Sequence, residues 1–231
     1  MPSKKLKALF DLTRPVNVAI TLVSIPAAAA LAGARLGQWP AVVAASVTGG
    51  LVAAGANAIN DYFDVAIDLT NKPSRPIPRG DVTTREAWML WLVLSVIAVA
   101  LNTVLNMYAL GIVLSAVFIL YWYSAVFKRT SVIGNLVVGL MTGMAFVYGA
   151  VVVDNPERAI MPAIFAFLVN VAREIIKDIE DVEGDRKEGA MTLPVKYGVK
   201  PALWLASAAL GILVMATIAA YLLAIYTPVY L

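Results

Sequence analysis

Two stretches of the chain carry carboxylates at matching intervals: NDYFDVAID at residues 60–68 and KDIEDVEGD at residues 177–185 share the pattern Asp-x-x-Asp-x-x-x-Asp. Asp61, Asp64 and Asp68 in the first correspond to Asp178, Asp181 and Asp185 in the second. Spacings of three and four predict that each triplet stacks along one helix face, successive carboxylates about one turn apart. Like charges so placed repel by about 0.2–0.5 kcal/mol per pair on an exposed helix and by more beside a membrane, so positive charge has to compensate them. Clustered hard oxygen donors suit magnesium, which takes one or two carboxylates, keeps water and completes its shell with substrate phosphates. All six aspartates are therefore candidate metal ligands, and the Asn57 and Asn60 amides that precede the first cluster add neutral polar groups to it.

Cations stand nearby in the sequence. The loop NKPSRPIPRGDVT holds Lys72, Arg75 and Arg79 in a proline-stiffened turn, FKRT supplies Lys128 and Arg129, and Lys177 opens the second carboxylate run. Arginine suits bidentate contact with phosphate oxygens, and lysine a point-charge contact. Carboxylates for magnesium beside cations for phosphate are the equipment for binding a diphosphate and stabilising it as a leaving group. Topology and lipid-headgroup anchoring are sufficient reasons for Lys4, Lys5 and Lys7, and are an equal alternative for Lys128 and Arg129. Tyr121, Trp122 and Tyr123 read as an interfacial aromatic belt, with a second reading for Tyr123 in which its π face stabilises a developing carbocation.

The elements that must position these groups are apolar. Of 231 residues 61% are hydrophobic and 14% charged, against roughly a quarter charged in soluble proteins. The chain has neither cysteine nor histidine, which excludes disulfides, thiolate nucleophiles, imidazole general bases and sulfur or imidazole metal sites. By the rule of about 20 apolar residues per span, seven transmembrane helices are predicted, near residues 16–34, 41–60, 88–106, 108–127, 132–153, 160–179 and 203–226. The basic lead MPSKKLKALFDLTRP runs into the first of these without a convincing cleavage site, so it is read as a cytoplasmic lead and not a removed signal. Sixteen of the eighteen Lys and Arg residues fall on one side and only Arg35 and Arg158 on the other, which places the N-terminus and the loops after even-numbered spans in the cytoplasm. The net charge of +3 is explained by those loops, and nucleic acid is not an expected partner. Glycines such as Gly50, Gly55, Gly134, Gly139 and Gly143 read as close-packing positions between spans. Carboxylates clustered at one membrane face beneath an apolar bundle suit a substrate with a diphosphate head and a long hydrocarbon tail. The plain alternative, two solvated helix ends, does not account for the repeated spacing.

The stretches NAINDYFDVAIDLTNKPSRPIPRG and AREIIKDIEDVEGDRKEGAMTLPVKYG resemble the UbiA superfamily of intramembrane prenyltransferases, the second stretch being most similar to its archaeal ether-lipid branch. The resemblance implies that Asn60, Asp64 and Asp68, with Asp181 and Asp185, are the catalytic groups that hold Mg2+ and the prenyl diphosphate, and that Asp61 and Asp178 are further members. It also implies substrate-binding roles for Arg14 and Asn17 in the Arg-Pro-x-Asn context and for the Lys128–Arg129 pair. The fold it implies is an all-α transmembrane bundle around a central cavity, one membrane-embedded domain over residues 1–231, with the two motifs at the cytoplasmic mouth. The implied reaction moves a geranylgeranyl group from its diphosphate to the free hydroxyl of geranylgeranylglyceryl phosphate. The family has nine spans and this chain seven before YTPVYL, so either the chain is cut short or the cavity is closed in another way, for which oligomerisation would supply packing. The nearest alternative is a family member acting on an aromatic or haem acceptor. A CDP-alcohol phosphotransferase would show one contiguous Asp-rich motif, and a divalent-cation transporter would need charge in the middle of its spans.

Overall fold

The computed structural model describes residues 2–187 and 189–223; Glu188 and the last residues of the seventh predicted span, with the YTPVYL end, lie outside the described residues. The described secondary structure is entirely helical: α1 (Pro2–Leu12), α2 (Pro15–Leu31), α3 (Trp39–Phe63), α4 (Val65–Asn71), α5 (Thr84–Asn102), α6 (Met107–Ala125), α7 (Ile133–Val152), α8 (Ile160–Glu180), α9 (Val182–Lys187), α10 (Leu193–Tyr197) and α11 (Val199–Leu222). Six helical segments, containing α3, α5, α6, α7, α8 and α11, are long and apolar enough to cross a membrane. A seventh span is reached when α1 and α2, bent by 53° at their junction, are taken together. The sequence segments thus correspond to helices one for one, the first with a bend that the apolar run did not announce.

The chain divides into two compact units, one of residues 1–128 and 144–163, the other of residues 129–143 and 164–231. In the first unit α2, α3, α5 and α6 pack through small side chains, with Ile25, Ala29, Val42, Ala45, Ala98, Ala109 and Val113 fully or nearly fully buried. Between lipid-immersed helices there is little hydrophobic driving force, so association depends on close van der Waals approach, which small residues permit. The end of α7 shows how close: a Cβ on Gly149 would stand 2.5 Å from the Ile25 carbonyl oxygen and 2.9 Å from the Ala28 Cβ. A smaller cluster of Ala8, Leu12, Ala58, Ile77, Val82 and Ala87 fastens α1 and the 72–83 loop to the end of α3.

In the second unit Leu168, Val171, Ala172 and Ile175 of α8 pack with Leu193 and with Ala202, Ala206 and Ala209 of α11. Gly139 of α7 has Phe167 and Val171 of α8 against it, with the Phe167 carbonyl oxygen 3.0 Å from where its Cβ would lie. This confirms the packing role expected of that glycine.

Candidate functional site

The two carboxylate motifs share a backbone form that differs from the continuous helix expected. In the first, α3 ends at Phe63, Asp64 sits outside helical geometry at φ −91° and ψ 2°, and α4 resumes at Val65. In the second, α8 ends at Glu180, Asp181 forms a turn and α9 resumes at Val182. Both breaks keep their backbone bonds, Asp64 N–H to Asn60 C=O at 3.0 Å and Asp68 N–H to Asp64 C=O at 2.8 Å, against Asp181 to Lys177 at 3.0 Å and Asp185 to Asp181 at 2.9 Å. Each motif therefore carries a one-residue interruption of the helix with its i to i−4 bonds continuing across it. At the first break the helix dipole contributes, since acidic side chains at a helix C-terminus are unfavourable and α3 has no basic residue in its last turn to offset them, whereas α8 carries Lys177 in its last turn.

In the first motif the compensation comes from elsewhere in the chain. Asp61, Asp64 and Asp68 are 4%, 3% and 3% exposed, and such burial is tolerated only with paired charge. Arg14 and Arg75 both donate to Asp61, the latter at 3.2 Å, Arg75 donates also to Asp68, and Lys128 donates to Asp64, which further accepts the Asn60 amide at 2.9 Å. Burial pushes the Asp68 carboxyl above the ordinary value of 3.8, against the pull of Arg75 and with Asp61 and Asp64 adding to the rise. Three anions and three cations are thus gathered in one small volume.

Local structure explains how each arrives. Arg14 occupies the elbow between α1 and α2 in the left-handed conformation, φ 53°, and the Asn57 amide donates to the Thr13 carbonyl at 2.8 Å beside it. Asn57, expected to touch substrate, braces the elbow that presents Arg14. The proline loop folds back through Gly80 N–H to Ile77 C=O at 2.9 Å and Val82 N–H to Pro76 C=O at 3.2 Å, and buries Ile77 and Val82, which leaves Arg75 directed at the aspartates. Arg79 is not brought there. It donates to Asp81 at 2.6 Å, as Lys4 does at 3.2 Å, and these two cations hold the Asp81 carboxyl below its ordinary value, Arg79 contributing most. Lys72 is exposed at the end of α4, and Asn17 is exposed on the first turn of α2.

Tyr121 is an aromatic residue placed beside the first motif. Its ring lies 5.5 Å from Phe63, the last residue of α3, and 5.1 Å from Trp91.

In the second motif Asp178 is half-buried and accepts the Asn135 amide at 3.0 Å, Asp181 is exposed, and Asp185 accepts the Thr192 hydroxyl at 2.9 Å. Lys177 stands 3.6 Å from Glu174, which is 7% exposed and also accepts Arg173 at 2.8 Å. Arg129 is exposed, and its carbonyl accepts the Met191 N–H at 3.2 Å. Asn135 escaped the sequence reading because a lone Asn in an apolar span carries no spacing signal.

Among the described residues no three carboxylates converge into a ready cage for a metal ion. The donors nevertheless fit one: they are hard oxygens, Asp68 is disfavoured as an anion where it stands, and magnesium needs only one or two carboxylates beside water and phosphate.

The profile of the UbiA prenyltransferase family matches residues 19–231. The chain is 41% identical over 223 residues to the digeranylgeranylglyceryl phosphate synthase of Methanopyrus kandleri, covering 96% of this chain and 78% of that one. It is 34% identical over 221 residues to the synthase of the same name from Methanothermobacter thermautotrophicus, again covering 96% and 78%. Among solved structures, one described under the biosynthesis of digeranylgeranylglyceryl phosphate synthase superposes with a TM-score of 0.80 at 33% identity, over 96% of this chain and 80% of the other. A UbiA homologue from Archaeoglobus fulgidus bound to DMAPP and Mg2+ shares the fold with a TM-score of 0.79 at 24% identity, over 96% and 80%.

Proposed function

Because this chain belongs to the UbiA prenyltransferase family, we propose that it transfers a geranylgeranyl group from geranylgeranyl diphosphate to the free hydroxyl of geranylgeranylglyceryl phosphate, making a diether lipid precursor. The observation that carries the diphosphate reading is the buried group of Asp61, Asp64 and Asp68 with Arg14, Arg75 and Lys128. The acceptor rests on relatives of 34–41% identity that are named for that product.

Magnesium, when bound, would supply the positive charge that draws electron density onto the diphosphate. Asp64 and Asp68, with Asn60 fixing the Asp64 carboxylate, are assigned to hold it, and Asp61 is assigned to orient Arg14 and Arg75. Asp178, Asp181 and Asp185 enter on their repeated spacing and matching backbone. Arg75 and Lys128, which pair with carboxylates here, are the cations assigned to diphosphate oxygens, Arg75 by bidentate contact. As the allylic carbon–oxygen bond breaks, the acceptor hydroxyl attacks that carbon and loses its proton; the chain has no histidine, and so electrophilic a carbon needs little help from a base. The basic-residue asymmetry of sixteen to two supports a cytoplasmic N-terminus and cytoplasmic active-site loops.

The test is an acceptor comparison on purified protein in lipid, with labelled geranylgeranyl diphosphate, magnesium and either geranylgeranylglyceryl phosphate or an aromatic acid. Diether product with the first and none with the second is the expected result. Product from the aromatic acceptor alone would overturn the lipid assignment and leave the family intact.

A further inference from the structure

The helix before the first span has three distinct sides. At about 100° per residue, Ala8, Leu9 and Leu12 fall on one side of α1, Leu6 and Phe10 on a second, and Lys4, Lys7 and Asp11 on a third. The first side is packed: Ala8 and Leu12 are 2% and 0% exposed in the cluster with Ala58, Ile77 and Val82, and Leu9 packs against it. The third faces a concavity of about 420 Å³ shared with Arg79 and Asp81. The second side is uncovered, with Leu6 66% and Phe10 61% exposed one turn apart.

A pair of large apolar side chains left bare on a lysine-bearing helix needs an occupant, and two observations identify it. Apolar exposure continues onto α2, where Val16, Ile20 and Val23 are 73%, 61% and 69% exposed along a spanning helix, so the same medium that bathes α2 meets Leu6 and Phe10. The 53° bend at Arg14 then turns α1 away from the line of α2, whose 17 residues make about 25 Å by themselves, at the lower limit for a span. Lys7 supplies charge that phosphate-bearing headgroups attract, on a helix whose ion pairs Lys4–Asp81 and Lys5–Glu86 fix its rotation.

We infer that α1 is an interfacial helix, lying in the headgroup region of the bilayer with Leu6 and Phe10 inserted among the acyl chains, its lysine side turned to water and its Ala8–Leu12 side docked on the protein. The surface it offers is for a phospholipid bilayer, and its role is to fix the depth and tilt of the elbow that presents Arg14.

The absence of native cysteine makes a direct test available. Nitroxide labels are placed one at a time in the full chain at Leu6→Cys, Phe10→Cys and Lys7→Cys, reconstituted in vesicles of phosphatidylcholine and phosphatidylglycerol. Power saturation with oxygen and with a water-soluble nickel chelate then reads depth. Labels at 6 and 10 accessible to oxygen at about 5–10 Å below the headgroups, with label 7 accessible to nickel, is the expected result. Three nickel-accessible labels would mean that α1 stands in water, and three deeply immersed labels would make it an extension of the span. Labels at 6 and 10 shielded from both reagents would reveal a protein partner. Each of these three outcomes overturns the inference, and none depends on enzymatic activity.

Discussion

Asp61, Asp64 and Asp68 are buried at 4%, 3% and 3% exposure within one group of opposite charges, an arrangement that favours chemistry over stability. Ionised Asp68 is the clearest case. Its folded pKa is raised by burial, so its charge opposes folding at neutral pH, a penalty fully present above the folded value and gone below the ordinary 3.8. Asp68→Asn is therefore expected to leave the melting temperature unchanged or higher while lowering magnesium-dependent turnover by about 100-fold or more. Thermal unfolding in detergent and a transfer assay on the same preparation check both halves. Arg75→Gln goes the other way: it strips the shared cation from Asp61 and Asp68 and is expected to cost on the order of 3 kcal/mol of stability, part of which added magnesium restores. A melting curve with and without magnesium measures this. At this scale the charged character of Asp61, Asp64, Asp68, Arg75 and Lys128 was legible, because charge in an apolar chain stands out and demands a partner, while Arg14 was reached only through the family resemblance. Which cation meets which carboxylate was not, since Arg75 and Arg79 share one loop and only the burial of Ile77 and Val82 decides between them.

Helices as elements were legible to within a few residues where a run of apolar residues reached spanning length. The helix breaks at Asp64 and Asp181 were hidden, because spacings of three and four fit a continuous helix and the i to i−4 bonds persist through both breaks. Close packing was partly visible. Gly139 was expected as a contact position, whereas Gly149, with the Ile25 carbonyl 2.5 Å from its would-be Cβ, was not singled out. Because the obstruction there is backbone, Gly149→Leu is expected to force α7 from α2 and cost about 1–3 kcal/mol, read as a lower melting temperature. Gly37→Leu, where nothing lies within 4 Å, is the matched substitution expected to have little effect.

Across the whole molecule, basic residues are the readable signal for orientation, since Lys and Arg set topology irrespective of nearby carboxylates. Single cysteines test it cleanly in a chain that has none of its own. Ser74→Cys is expected to react with a membrane-impermeant maleimide only after the cells are opened, and Glu157→Cys in intact cells. The reverse pattern would invert the protein in the membrane. Membership of the UbiA prenyltransferase family was legible from two short motifs, because the chemistry of a diphosphate at a membrane face permits few substitutes for carboxylates and cations at fixed spacing. If both motifs serve one magnesium-dependent transfer, losing a carboxylate from either must stop it, and the most direct measurement compares initial rates of diether formation by the parent chain, Asp64→Ala and Asp181→Ala across a magnesium titration. Both variants are expected to keep the helical circular dichroism of the parent while losing turnover by about 100-fold or more at every magnesium concentration. Parent-like rates in both would contradict a role for the two motifs in the transfer.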